Sequence, residues 1–258
     1  SFPEDTHVLE HIDRLVEIFN ACWPMYAAMP AVLKDAVEQA YLRKAWDLTN
    51  STCDPLIYPT FRDLMDVLPD VVKQSNYSAD TQSDYIGSLY TRIKSLTNGI
   101  NGQIFCSMSE LAAEDLFDRN VIVDLSRVGS METKALLMGI LVLKLQEHRM
   151  AMADDKMDTE LRHVTVLEEA HNLLRRTSDI QTQESSNLQG KSVEMIANAI
   201  AEMRTYGEGF VIADQAPGLM DESVIRNTNT KIIMRLPDES DRVLVGKAAS
   251  LNDEQIVE

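Results

Sequence analysis

From residue 120 onward, short apolar runs rich in β-branched residues alternate with stretches of helical periodicity, and this alternation constrains the fold more than any other feature. The runs are "NVIVDLS" at 120–126, "HVTVLEE" at 163–169, "GFVIADQ" at 209–215 and "TKIIMRL" at 230–236. Between and after them lie "METKALLMGILVLKLQEHRM", "SVEMIANAIAEMRTYG" with its terminal Gly207, the short "DESVIRNT", and "DESDRVLVGKAA". A strand that returns through a helix must pair in parallel with its predecessor, by a right-handed crossover. The spacing therefore predicts an α/β domain with a mainly parallel sheet over 101–258. Residues 1–100 read differently. Apolar positions recur at helical spacing (Val8, Ile12, Leu15, Ile18, Phe19, then Met29, Leu33, Val37, Tyr41), broken near Pro24 and Pro30, and "FRDLMDVLPDVV" and "SDYIGSLYTRIKSLTNG" continue the pattern. This portion is predicted to be mostly α-helical. The polar segment 175–190, "RRTSDIQTQESSNLQG", is predicted to be a mobile loop.

Charge and composition limit the function classes. With 24 Lys and Arg against 41 Asp and Glu, the net charge of −17 opposes tight binding of bare nucleic acid over the whole surface. A local basic groove or loop remains compatible with it. Cys22, Cys53 and Cys106 lie far apart without metal-ligand spacing, which points to free thiols in a reducing compartment and to a cytoplasmic location. The apolar run "ALLMGILVL" at 135–143 falls short of the roughly 20 residues a membrane span needs. No signal-peptide pattern opens the chain, so no membrane insertion is expected. The sequence begins at Ser1 without Met and stops as "SLNDEQIVE" starts a helical pattern, so a piece of something larger is expected.

The run "VTVL" ends in adjacent acids, Glu168 and Glu169, with His171 close behind. A buried strand rarely ends in paired charge unless the charge faces a ligand or cation, and open α/β sheets bind ligands at the carboxyl ends of their strands. This is the form of a Walker B element, in which one carboxylate orders Mg²⁺ and its waters and the next activates the attacking water. Such chemistry also needs a phosphate-binding loop, G-x-x-x-x-G-K-[ST]. The near match "SSNLQGKS" has Gly190, Lys191 and Ser192, but Ser185 stands where the first glycine belongs. It also follows polar sequence rather than a strand, and comes after the acidic strand instead of before it. It is read as a decoy, with Ser192 capping the helix that follows.

Taken together, "VIVDLSRVGSMETKALLMGILVLKLQEHR", "VTVLEEAHNLL" and "EMRTYGEGFVIADQAPGLMDESVIRNTNTKIIMRLPDESDR" resemble the successive C-terminal core motifs of the HerA/FtsK superfamily of ring ATPases. The likeness is greatest to HerA-like helicases and to the conjugation and type IV secretion ATPases. The helical first portion resembles the insert these proteins carry after the phosphate-loop helix. The resemblance implies an incomplete RecA-like P-loop NTPase core, with the phosphate-loop strand and helix upstream of Ser1. It implies ATP and Mg²⁺ as cofactors of the complete protein, a hexameric ring of identical subunits, and a translocated polymer. That polymer is double-stranded DNA in the HerA branch, with a nuclease as a possible partner, and protein or nucleoprotein in the secretion branch. Residue by residue, Glu168 resembles the acid that holds Mg²⁺ through water and Glu169 the general base. Gln215 resembles the polar sensor of the γ-phosphate or attacking water, and Arg204 the arginine finger offered to the neighbouring subunit. Arg235 and Asn229 match interface or nucleotide-sensing positions. A chain without the phosphate loop is expected to be inactive by itself.

Plainer readings of the same residues stand beside these. Glu168 and Glu169 would also complement the dipole of a helix starting at "AHNLL", and Arg204 the C-terminal end of its own helix. Gln215, ahead of Ala-Pro, would also satisfy a turn. His171 is read as a hydrogen-bonding partner, the alternative being a metal ligand in a hydrolase built on Glu168, Glu169 and His171. Met131, Met138, Met150, Met152 and Met157 read as core and loop filler. The acidic runs 154–160 and 238–241 read as solvated faces. A third alternative is a non-catalytic fragment that oligomerises through an open sheet edge.

Overall fold

The structure, a computed structural model, describes residues 1–153, 159–177 and 183–257; the side chains of 183–187 and 257 lie outside the description. Met157 and most of the first acidic run, at 154–158, fall among the residues not described. The chain divides into two compact units. One comprises Ser1–Val16 with Met25–Leu116, the other Glu17–Pro24 with Phe117–Glu258.

The first unit is helical, as its periodicity predicts. It holds most of α1 (Val8–Cys22), then α2 (Met29–Arg43), α3 (Phe61–Gln74), α4 (Ala79–Tyr85), α5 (Thr91–Thr97), α6 (Gly99–Phe105) and the start of α7 (Ala113–Phe117). A five-residue π-helical turn, Ile86–Tyr90, joins α4 to α5. Helix α3 starts at a capping box in which the Thr60 backbone N–H donates to Asp63 Oδ2 at 2.8 Å, so the orphan donors of the first turn are met locally. An aromatic cluster of Phe2, His11, Tyr41, Trp46 and Tyr58 anchors the N-terminal residues. The Trp46 indole N–H donates to the Ile57 carbonyl at 2.7 Å, satisfying its polar edge while its face is buried.

The second unit carries the sheet. Its elements are α8 (Met131–Ala151), β1 (His163–Glu168), α9 (Gln183–Glu202), β2 (Glu208–Ala213), α10 (Glu222–Asn227), α11 (Glu239–Ala248) and α12 (Asp253–Val257). Strands β1 and β2 pair in parallel, from His163 opposite Glu208 to Glu168 opposite Ala213. The crossover through α9 makes this the expected βαβ unit, in an α/β fold consistent with part of a RecA-like domain. Helix α9 gives way to a 3₁₀ turn at Met203–Tyr206, and Gly207 reverses the chain at φ 80°, a conformation that favours glycine. Helix α8 packs on the α1 end at Gly139, where a Cβ would stand 2.5 Å from Ile18 Cγ2.

Two predicted strands are corrected. Residues 120–126 and 230–236 carry no ladder among the described residues, and Ile122, Ile232 and Met234 are exposed at 95%, 86% and 79%. Apolar pattern marks a segment for a sheet, but only a hydrogen-bonded neighbour makes it a strand. The polar segment is also corrected in part: 183–190 belongs to α9, while 178–182 is outside the described residues. Met138 lies in the core, whereas Met131 and Met152 are exposed.

At the N-terminal end of the sheet, a buried ion network ties α8 to β2. Arg149 donates from Nε to Glu208 Oε2 at 2.8 Å, from Nη1 to Asp118 Oδ1 at 2.5 Å, and from Nη2 to the Phe117 carbonyl at 2.5 Å. The other oxygen of Glu208 lies 2.8 Å from His163 Nδ1 and accepts from the Thr165 hydroxyl at 2.7 Å. Every charge in this network has a partner, which is the condition for burying charge at all.

Candidate active site at the strand ends

The candidate site lies at the opposite end of the sheet. Because Glu168 is opposite Ala213, the first residue past each strand, Glu169 and Asp214, leaves the sheet side by side. Glu169 takes the left-handed conformation (φ 51°, ψ 46°), at a cost of about 1–3 kcal/mol for a residue with a side chain. Consecutive strand residues face opposite ways, so this turn is what brings the second acid round beside β2.

Asp214 is the anchor. Its side chain is 2% exposed, and one oxygen accepts both the His171 backbone N–H and the His171 Nδ1–H at 2.9 Å. The other oxygen accepts the Ala216 N–H at 2.8 Å. His171 is thereby held with Nδ1 3.4 Å from Glu169 Oε2. On the far side of the carboxylate, Gln215 Nε2 donates to Glu169 Oε1 at 3.0 Å. Glu169 itself remains about half exposed, so water reaches it. The arrangement is a solvent-facing carboxylate held from two sides, geometry suited to taking a proton from a bound water.

Of the residues singled out from sequence, Glu169, Gln215 and His171 are brought together. Glu168 is adjacent and exposed, and among the described residues its carboxylate has no hydrogen-bond or ion-pair partner. Such a carboxylate fits a cation held through water. Arg204 stands at the other end of β2, in the 3₁₀ turn before it, roughly 20 Å away by strand rise. It is exposed and has no ion-pair partner among the described residues. Arg235 and Asn229 are exposed and outside the cluster. Asp214 was missed from sequence: it is the first residue past β2, as Glu169 is past β1, a correspondence that only the pairing of the two strands reveals.

Glu169, His171 and Asp214 also have ligand atoms within 4.8 Å of one another, a spacing compatible with a metal ion, and Glu168 is not among them. The hydrolase centre imagined on Glu168, Glu169 and His171 thus differs in one ligand from the cluster that forms. The phosphate-loop decoy is inside α9: Gly190, Lys191 and Ser192 are interior helical residues whose backbone donors serve the helix. Ser192 is not a cap. It is buried, and its hydroxyl donates to Glu17 Oε2 at 2.6 Å.

No family model matches the sequence, and no curated protein matches it. Among solved structures, the chain is similar to VirB4 of Thermoanaerobacter pseudethanolicus, with a TM-score of 0.65 at 15% sequence identity, over 96% of this chain and 62% of that one. The fold is shared with VirB4. The likeness bears out, at the level of fold, the resemblance to the HerA/FtsK-type ATPases carried by the motifs. The chain spans under two thirds of the length of the VirB4 structure. No helix among the described residues is long and apolar enough to cross a membrane.

Proposed function

We propose that the chain is the hydrolytic half of an ATP-driven ring translocase of the HerA/FtsK type, nearest in kind to the type IV secretion and conjugation ATPases. The observation that carries this reading is the Glu169–Gln215 contact across two parallel strand ends, in a fold shared with VirB4. In this reading ATP lies over the strand ends, with its phosphates cradled by a loop outside these residues. The bound Mg²⁺ would neutralise charge on the β- and γ-phosphates. Glu168 holds that ion through water. Glu169 orients the attacking water and accepts its proton, while Gln215 reports on the same water or on the γ-phosphate.

Arg204, distant from its own Glu169, serves the nucleotide of a neighbouring subunit, where a fixed guanidinium stabilises charge on the transferring phosphoryl group. Arg235 and Asn229 belong to the subunit interface. A ring of identical subunits, a hexamer, follows from that trans arrangement and from the resemblance. The cargo in this reading is double-stranded DNA gripped by a few residues of a local loop, since the net charge of −17 opposes binding over the whole surface; a protein or nucleoprotein cargo, as in the secretion branch, is the alternative. The 258-residue chain alone lacks a phosphate-binding loop and is inactive.

The test is ATP turnover by the chain alone and by a polypeptide that joins it to its phosphate-binding loop. Turnover in the second and none in the first is expected. Equal turnover in both would overturn the division of the site.

A further inference from the structure

We propose that Asp214 and His171 form a positioning clamp that holds the Glu169 carboxylate against Gln215, so that the water-activating group of one strand is set by the end of the next. The proposal rests on the reading of Glu169 as the base. Neither clamp residue needs to touch nucleotide. Asp214 is buried with three donors on its two oxygens, two of them from His171. Such saturation fixes the backbone at 171 and the plane of the imidazole together. It also fixes the tautomer: Nδ1 carries the proton and gives it to Asp214.

The clamp explains the left-handed turn at Glu169. Residue 169 lies two positions before His171, whose backbone N–H is bound to β2 through Asp214, and the Asn172 N–H and Nδ2 both donate to the Glu169 carbonyl at 2.9 Å. The chain is thus held on both sides of the turn. Without Asp214 the Gln215 contact is what remains at the strand ends themselves, and the next links between the two segments come further on, where the Asp221 N–H donates to the Leu174 carbonyl at 2.9 Å and the Arg176 N–H to the Leu219 carbonyl at 2.7 Å. The clamp therefore links the base to the strand that carries the sensor, and a shift of either strand end moves both groups.

The experiment uses His171 variants, because His171 is partly exposed and its replacement spares the core. In H171N the amide Nδ2–H stands near the place of Nδ1–H and keeps a donor for Asp214; in H171A that donor is lost. On the 258-residue chain, nitrogen-15 spectra of the His171 ring should show the Nδ1–H tautomer, and the Gln215 side-chain amide should show a hydrogen-bonded proton. The Gln215 signature should persist in H171N and disappear in H171A, with both variants folded by thermal melting. In the polypeptide joined to its phosphate loop, H171A should lower kcat about a hundred-fold, the scale of a misplaced catalytic group, with KM for ATP unchanged, and H171N should restore most of it. An unchanged Gln215 signature in H171A, or equal loss in H171A and H171N, overturns the clamp. Stoichiometric zinc or manganese bound at Glu169, His171 and Asp214 in the free chain also overturns it. The spectra on the chain do not depend on ATP turnover, so they judge the clamp even if E169Q turns over like the wild type and the ATPase reading fails.

Discussion

Gln215 after β2 and Glu169 after β1 are 46 residues apart in sequence and 3.0 Å apart in space, joined by an amide-to-carboxylate hydrogen bond at the aligned ends of two parallel strands. The contact exists because β1 and β2 pair without an offset and because Glu169 turns out of the strand. Sequence marks each residue separately; the crossover brings them together.

Arg204 supplies a test of trans catalysis. If it serves a neighbour's nucleotide, R204A and E169Q subunits should each be inactive alone. Mixed, they should regain measurable turnover, since some interfaces then combine an intact finger with an intact base. Turnover that stays at the level of either variant alone argues for a role of Arg204 within its own helix end.

Lys191 tests the decoy. The residue is exposed on the interior of α9, remote in role from any phosphate loop. K191A should leave nucleotide binding and turnover of the loop-joined polypeptide within a factor of two, whereas alanine at a true phosphate-loop lysine removes a charge on the β- and γ-phosphates.

Arg149 and Asp118 set the stability of the second unit. R149M leaves Glu208, fully buried, with a charge and no guanidinium, and should destabilise by about 3–5 kcal/mol in urea unfolding. Burial pushes the Asp118 carboxyl up, but hydrogen bonds from Arg149 and His148 outweigh it and hold the group below its ordinary value. A carboxyl depressed in the folded state binds its proton later than in the unfolded chain. Its stabilisation is therefore complete above the ordinary aspartate value of about 3.9 and is lost as pH falls through the folded value. D118N should flatten the unfolding midpoint against pH in that acid window.

Cys22 should be inert. Burial first, and then the charge of Glu132, push its thiol well above the ordinary range, so little thiolate forms near neutrality. A thiol reagent should label Cys53 and Cys106 in the folded chain and reach Cys22 only after denaturation, as counted by mass spectrometry.

The parallel pair, α8, α9 and the helical first unit were legible because their periodicities run long enough to be unambiguous. The segments at 120–126 and 230–236 were not, because Ile122 and Ile232 share the apolar composition of Val164 and Val211 and differ only in lacking a ladder partner. Register is a property of pairs, invisible along one strand. Asp214 was illegible for the same reason: "ADQ" offers two polar residues, and only the register of β2 on β1 decides that Asp214 meets His171 while Gln215 meets Glu169. Ser192 misled because a serine before an apolar helix reads as a cap, yet α9 begins nine residues earlier, at Gln183.

The most direct measurement of the ATPase reading is steady-state ATP turnover by the polypeptide that joins this chain to its phosphate-binding loop, comparing wild type with E169Q while nucleotide binding is followed in parallel. Loss of a positioned general base should lower kcat by about 10²–10⁴-fold with ATP still bound. Wild-type turnover in E169Q would contradict it.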